Sequence, residues 1–298
     1  MKRDLQGRIF LITGGSSGIG WETVRALAKR QATVVGVSRV SGSGAERMRT
    51  LQDETGNGEL HHLAADFTSL TDVRRVAEEF GAKFTHLDVL INNAGGFFPR
   101  RRTTPSGLEL TLTVNHLSHF LLTHLLMDKL LRGNAPRIVV VASNAERFGK
   151  IHFDDLMLDK YGMWKAYSQS KLANLLFSYR LARLLAPTPI TVNALHPGTV
   201  ATNIGGRLGS VLMKLARPFF ITAEEGAQTT LYLATSPEVS GKTGGYYINQ
   251  KPAVSTRHSH DEGDQVRLWQ MSRDLVELTR TEAAPLDHAV LQQERSPL

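Results

Sequence analysis

Short apolar runs alternate along the chain with longer segments in which apolar residues recur every three or four positions. The runs Ile9-Phe10-Leu11-Ile12, Val34-Val35-Gly36-Val37 and Ile138-Val139-Val140-Val141-Ala142 are nearly continuous. Such runs suit strands covered on both faces rather than strands with one wet face. They and similar runs predict strands near 8–13, 33–37, 59–64, 88–91, 137–142, 190–195 and 246–248. The periodic segments between them predict helices over 18–30, 44–54, 69–83, 107–132, 161–186, 223–235 and 264–279. Regular strand–helix alternation implies an α/β fold, a doubly wound parallel sheet of about seven strands with helices on both faces. No internal repeat and no Pro/Gly-rich linker interrupts the pattern, so a single domain is expected over 1–281. The polar, aperiodic stretch 282–298 reads as a loose C-terminal tail.

Two of the helical segments are apolar almost all round. In 115–131 the apolar positions are Leu117, Phe120, Leu121, Leu122, Leu125, Leu126, Leu130 and Leu131, and 171–186 is similar. A helix apolar all round is buried on more than its sheet side. A homodimer or homotetramer packed through helices 107–132 and 161–186 is therefore expected, with burial by the chain's own loops as the alternative.

Composition narrows the chemistry. Of 298 residues, 41% are hydrophobic and 21% charged, which excludes a disordered or fibrous chain. There is no cysteine, so disulfides, thiolate nucleophiles and iron–sulfur clusters are excluded. The net charge is +7, but apart from Arg100-Arg101-Arg102 the cations are dispersed, and no nucleic-acid partner is expected. The longest apolar patch, 120–127, is interrupted by His124 and is far below the roughly 18 residues of a membrane span. His116, His119 and His124 share one helix without acidic partners at metal spacing, so they read as surface or interface histidines and no metal site is expected.

The stretch Thr13-Gly14-Gly15-Ser16-Ser17-Gly18-Ile19-Gly20 follows the first strand and opens the first helix. Glycine lets a backbone turn tightly and approach a pyrophosphate, and the helix N-terminus offers unpaired N–H groups and partial positive charge. The second strand ends in Ser38-Arg39, nineteen positions past Gly20, where an acid would grip a ribose diol. A guanidinium there suits a 2′-phosphate instead. NADP(H) is favoured as cofactor, with NAD(H) as the alternative.

Tyr167-Ser168-Gln169-Ser170-Lys171 lies at the start of a helix, and residues four apart share a face. A phenol titrates near ~10 in water. A cation at ~4–5 Å, at an effective dielectric of ~20, is worth roughly 4 kcal/mol, about 3 pK units before screening. Such a lysine would draw the tyrosine towards neutrality, where acid–base catalysis works best.

Taken together, these motifs resemble the short-chain dehydrogenase/reductase family, with its Rossmann-like fold. The glycine turn, Asp66 after the third strand, Asn92-Asn93-Ala94-Gly95 after the fourth, Ser143 after the fifth, Tyr167/Lys171 and His196-Pro197-Gly198 come in the family's order. The stretches VNHLSHFLLT, AYSQSKLANLLF and LHPGTVAT look most like the branch of retinol dehydrogenases and WW-domain oxidoreductases, and the 24 positions from Ser143 to Tyr167 suit that branch. The resemblance implies that Tyr167 is the general acid in carbonyl reduction and the base in alcohol oxidation. It implies that Lys171 binds the nicotinamide ribose, that Ser143 holds the substrate oxygen, and that Asn115 holds a water in a proton relay to Lys171. On the cofactor side it implies Gly14, Ser16, Ser17, Gly18, Ile19 and Gly20 at the phosphates, and Ser38 and Arg39 at the adenosine ribose. Asp66 and its neighbour Phe67 would meet the adenine, with Asn93, Ala94 and Gly95 along the adenosine. Pro197, Gly198, Val200 and Thr202 would wall the nicotinamide.

The expected activity is hydride transfer between NADP(H) and an apolar carbonyl or alcohol, with aldehyde or ketone reduction favoured. A catalytically silent NADP(H)-binding sensor or scaffold is the alternative. The chain lacks the N-terminal anchor usual in animal retinol dehydrogenases, which points to a cytoplasmic enzyme. Segment 204–221, apolar with three cations, reads as a lid over an apolar substrate, or else as a contact with a membrane surface. Thr222-Ala223-Glu224-Glu225 fits a helix capping box.

Overall fold

A computed structural model describes residues 3–39, 43–198 and 221–294 of the chain. Its centre is one eight-stranded sheet built from β1 (Ile9–Thr13), β2 (Thr33–Ser38), β3 (Leu60–Ala64), β4 (Val89–Asn92), β5 (Arg137–Val141), β6 (Thr191–His196), β7 (Tyr246–Ile248) and β8 (Lys251–Ala253). The order is β3-β2-β1-β4-β5-β6-β7-β8, parallel through β7, with β8 antiparallel at the edge. Successive strand residues point to opposite faces. Phe10 and Ile12 accordingly enter the core on one side of the sheet, and Ile9 and Leu11 the core on the other.

The first of these cores is closed by α1 (Gly18–Lys29), α2 (Gly44–Thr55) and α8 (Ala223–Thr235) through Val24, Leu27, Met48, Leu51 and Leu233. The capping box at the start of α8 forms as the sequence predicts, with Thr222 Oγ1 accepting from Glu225 N and Glu225 accepting from Thr222 N. The opposite core is closed by α3 (Leu70–Lys83), α5 (Ser118–Leu125), α7 (Met163–Leu184), α9 (Glu262–Leu275) and α10 (Arg280–Glu294). No helix among the described residues is long and apolar enough to cross a membrane.

The strand order reverses between β1 and β4. Parallel α/β sheets open a crevice at the carboxyl ends of the strands at such a point. The glycine turn after β1 and the Asn-Ala-Gly turn after β4 are thereby placed side by side.

Four features depart from the sequence reading. The segment expected as one helix over 107–132 is α4 (Leu110–Leu112), a π-helical turn (Thr113–Leu117), α5 and α6 (Met127–Leu131). The strand β8 was not expected, because Pro252 is a poor strand former. It is tolerated at a sheet edge, and Asn249 and Gln250, both with positive φ, make the two-residue turn from β7. The stretch from 282 is not a loose tail: α10 runs to Glu294, with Ala283 and Leu286 buried and Glu282 paired with Arg74 at 2.6 Å. Its few apolar residues give no clear periodicity, and Pro285 inside the helix hides it further.

The fourth departure concerns the helices apolar all round. Phe120 packs on Trp269 of α9 at 5.0 Å between ring centroids, and Phe177 of α7 stacks on the same indole. Leu286 of α10 joins this core. The second apolar face is thus covered by the chain's own C-terminal helices, so it gives no reason to place a second subunit there.

The three histidines of this region lie in the core rather than on a surface, between 1% and 3% exposed. Burial pushes His116 down to about 4, His119 to about 3 and His124 to about 4, from an ordinary 6.5. The unfolded chain takes up protons on all three as pH falls below 6.5, and the folded chain does not. Stability is therefore full above pH 6.5 and is lost progressively towards pH 4, by up to about 1.4 kcal/mol per pH unit for each histidine. Urea denaturation between pH 7.5 and 5 is expected to show this decline, and His124→Leu is expected to make it shallower. An unchanged midpoint across that range would contradict the buried neutral state.

Candidate active site

The turn after β1 is shaped by two glycines. Gly14 has a φ of 71°, which L side chains resist. A Cβ on Gly20 would collide with the Gly14 carbonyl and come within 2.6 Å of Asn93 Nδ2. Its absence lets α1 press against both turns. Ser17 precedes α1 in extended conformation, makes no side-chain cap, and no acid occupies the first helical turn. The first N–H groups of α1 are therefore left to a ligand, and the helix end carries partial positive charge. Gly15 lies against Gly36 of β2, which ends in Ser38 and the exposed Arg39 without an acid. This cradle fits a dinucleotide diphosphate in shape and in charge.

Thr13 joins the two turns. Its Oγ1 accepts from Asn93 N and from Ala94 N, both at 2.9 Å, and lies 2.8 Å from His119 Nε2. His119 Nδ1 lies 3.1 Å from the Asn115 carbonyl, which can only accept. The imidazole proton is therefore on Nδ1, and Thr13 donates its hydroxyl hydrogen to Nε2. Asn93 Nδ2 also donates to Thr13 O at 2.8 Å.

Asn115 sits in the π-helical turn, fully buried. Its Oδ1 accepts from Gly96 N at 2.7 Å, and its Nδ2 donates to Gly96 O at 3.0 Å and to Ser170 Oγ at 2.9 Å. The amide clamps the end of the Asn-Ala-Gly turn to α7. Its neighbour Gly95 leaves room for both groups: a Cβ there would lie 3.2 Å from Asn115 Oδ1 and 3.6 Å from Lys171 Nζ.

Tyr167 and Lys171 lie one turn apart on α7, with Lys171 Nζ 5.8 Å from the Tyr167 ring centre. Lys171 Nζ donates to the Val141 carbonyl at the end of β5 at 3.0 Å. Ser143 follows that strand and lies beside the Tyr167 phenol. Burial raises the Tyr167 pKa, and the neighbouring Ser143 hydroxyl opposes the rise. Burial pushes Lys171 down to about 8. The expectation that the lysine draws the tyrosine towards neutrality is not met in this ligand-free arrangement. Both groups are desolvated, and the ammonium is turned to a backbone carbonyl rather than to the phenolic oxygen.

The structure brings Asn93, Ala94, Gly95, Asn115, Ser143, Tyr167 and Lys171 together, with the glycine turn beside them. Pro197 and Gly198 follow β6, and Gly198 adopts a φ of 93° against Ile221. Asp66 Oδ1 accepts from Thr68 N at 2.9 Å. The Phe67 side chain points into the core against His119, at 5.3 Å between ring centroids. Val200 and Thr202, with nearly all of 204–221, fall outside the described residues.

Sequence reasoning passed over several contributors. In the sequence Thr13 reads only as the lead of the glycine turn and His119 only as a surface or interface histidine, because the two meet across 106 positions of sequence. Phe97 packs edge-on to Tyr167 at 5.1 Å and to Trp164 at 5.0 Å, and forms an aromatic wall with it. Arg101, within the run of three arginines, donates to Leu158 O and Asp159 and so ties down a loop.

Known proteins are similar to this chain in sequence and in fold. A family model described as short chain dehydrogenase matches residues 8–210. Human retinol dehydrogenase 14 is 40% identical, covering 93% of this chain and 88% of its own length. The WW domain-containing oxidoreductase of chicken is 37% identical, covering 92% of this chain and 69% of its own. A crystal structure of an uncharacterized protein from Mycobacterium paratuberculosis superposes with a TM-score of 0.75 at 32% identity, over 93% of this chain and 97% of that one. The RhlG/NADP active-site complex of Pseudomonas aeruginosa superposes with a TM-score of 0.67 at 27% identity, over 81% and 94%.

Replacing His119 by leucine removes both of its hydrogen bonds at nearly constant volume. The Thr13 hydroxyl hydrogen is then left with only the Ile91 carbonyl as acceptor, at 3.4 Å. A loss of about 1–3 kcal/mol is expected in chemical denaturation, with weaker binding of adenine dinucleotides. Unchanged stability and binding together would show that the link is dispensable.

Proposed function

This chain belongs to the short-chain dehydrogenase family, and from that premise we propose that it is an NADP(H)-dependent reductase of apolar aldehydes or ketones. The observation that carries the reading is the placement of the Tyr167 phenol and the Lys171 ammonium one turn apart on α7, beside Ser143 and the switch-point crevice.

When bound, the nicotinamide supplies the hydride for reduction and accepts it in oxidation. The remaining duties fall to this chain. Ser143 donates to the substrate oxygen and orients it. As the carbonyl carbon gains the hydride, that oxygen takes the Tyr167 phenolic proton, and the product is an alcohol. A phenol whose pKa is raised by burial is held protonated at neutral pH, which suits the acid of the reductive direction. Lys171 is placed to hold the ribose hydroxyls and to supply positive charge beside the phenolate formed by the transfer. Asn115 is placed as a positioning residue through Gly96 and Ser170.

The preference for NADP(H) is supported by Ser38 and Arg39 at the end of β2, with no acid there, and by the likeness to an NADP complex. The apolar substrate is supported by Phe97, which packs edge-on to both Trp164 and Tyr167, with Trp164 65% exposed.

Oxidation of NADPH with a panel of apolar aldehydes and ketones tests the activity. Tyr167→Phe is expected to lower kcat by about 10² to 10⁴ while NADPH binding holds. Absence of turnover with every carbonyl, beside intact NADPH binding, would favour a silent binder. For reduction, kcat/KM is expected to fall as pH rises through about 8, where Lys171 loses its proton. Alcohol oxidation, which needs the phenolate, is expected to gain only at higher pH, because burial raises the Tyr167 pKa. A reductive profile that stays flat well above pH 8 would remove the Lys171 charge from the mechanism. Arg39→Ala is expected to lower the NADP/NAD ratio of catalytic efficiency, and an unchanged ratio would mean that Arg39 does not read the 2′-phosphate.

A further inference from the structure

Arg47, on the first turn of α2, is held in a way its helix does not require. Its Nη1 donates to the Ser16 carbonyl in the glycine turn at 2.8 Å, across 31 positions of sequence. Its guanidinium carbon lies 4.1 Å from the centre of the Trp21 ring, so the indole of α1 fixes the side chain as well. One N–H is spent on Ser16 and the group has five. No carboxylate pairs with it among the described residues: Glu22, on the same side of α1, is taken by Arg25 at 2.7 Å. The nearest strand end offers Ser38, whose hydroxyl lies 2.8 Å from His62 Nε2, and the exposed Arg39, also without an ion pair among the described residues. The rim made by the glycine turn, the end of β2 and the start of α2 therefore holds two guanidinium groups, and the acid in the first turn of α2, Glu46, forms an ion pair with neither among the described residues. One of the two is braced in place by a carbonyl and an aromatic face.

We propose that Arg47 is a second reader of the 2′-phosphate of NADP(H), fixed by Ser16 and Trp21 and acting with Arg39. The inference rests on the NADP(H) reading above. Fixing an arginine before the ligand arrives lowers the ordering cost of a charge-assisted contact. The anion also supplies the missing counter-charge to a site that otherwise sets like charges near one another. An NAD-type diol would offer no counter-charge for either group.

Adenosine 2′,5′-bisphosphate and adenosine 5′-monophosphate, titrated by calorimetry onto the full chain without substrate, test it. The wild type is expected to bind the bisphosphate at least about tenfold more tightly. Arg47→Met keeps an unbranched side chain against Trp21 and removes the donors. It is expected to reduce that preference by about fivefold or more, with the monophosphate affinity unchanged. Arg39→Ala is expected to reduce the preference separately, and the double variant to abolish it. If Arg47→Met leaves the preference intact, or weakens both nucleotides equally, Arg47 only braces Ser16 and the proposal fails while the NADP(H) reading stands. If the wild type shows no preference at all, the NADP(H) reading itself fails and takes this proposal with it.

Discussion

The Thr13 hydroxyl is the point on which the site turns. One oxygen accepts from two successive backbone N–H groups of the β4 turn and donates its single hydrogen to His119. Its capacity is thereby used, and its partners come from two elements, the β4 turn and α5. Neither turn can shift alone without leaving a buried donor or acceptor unpaired, which costs more than a formed bond gains. His119 passes the constraint on through the Asn115 carbonyl to the π-helical turn. Asn115 passes it through its amide to Gly96 and to Ser170 of α7. The glycine cradle and the Tyr167 helix are therefore joined by side-chain hydrogen bonds as well as by the sheet. The neutral imidazole is part of this link, since a protonated His119 could not accept from Thr13, and burial keeps it neutral.

Burial also decides the electrostatics of the catalytic pair. A Coulomb argument from sequence spacing alone gives the lysine enough field to depress a phenol. It omits the desolvation of both groups. Lys171 is buried, and its ammonium finds the Val141 carbonyl, so charge is retained at the cost of a lowered pKa. Tyr167 is left as an acid that holds its proton. This favours proton donation over proton removal near neutrality, the step that the proposed reduction asks of it. The bias comes from where two side chains are placed relative to water and needs no further residue.

The sheet was legible because both-face burial writes itself as near-continuous apolar strands, and seven parallel strands follow from it. The motif residues were legible because the chemistry of each is local: a turn, a strand end, one helical turn. What escaped was tertiary. The π-helical turn has no apolar signature, since Asn115 sits among ordinary helix formers. The helix α10 depends on Arg74 from α3, more than 200 positions away. The all-round apolar helices were read correctly as doubly buried, but which surface buries them is not a local property. The run Arg100-Arg101-Arg102 looked uniform, yet Arg101 is spent on a loop. Arg47, in an unremarked helix, reaches the cofactor turn.

The mouth of the crevice completes the electrostatic picture. Trp164 exposes large apolar surface, and Phe97 joins it edge-on to the Tyr167 ring. Such exposure loses the roughly 25 cal/mol per Å² that burial would return. It is recovered when an apolar body covers the rings. A carbonyl compound with an apolar body would leave only its oxygen to be satisfied, and Ser143 and Tyr167 offer that oxygen two hydroxyl donors. A strongly hydrated substrate would recover none of the aromatic area and would lose its own water shell. The proposed substrate class thus follows from the same balance that protonates Tyr167: the crevice withholds water, and a ligand is favoured to the extent that it needs none.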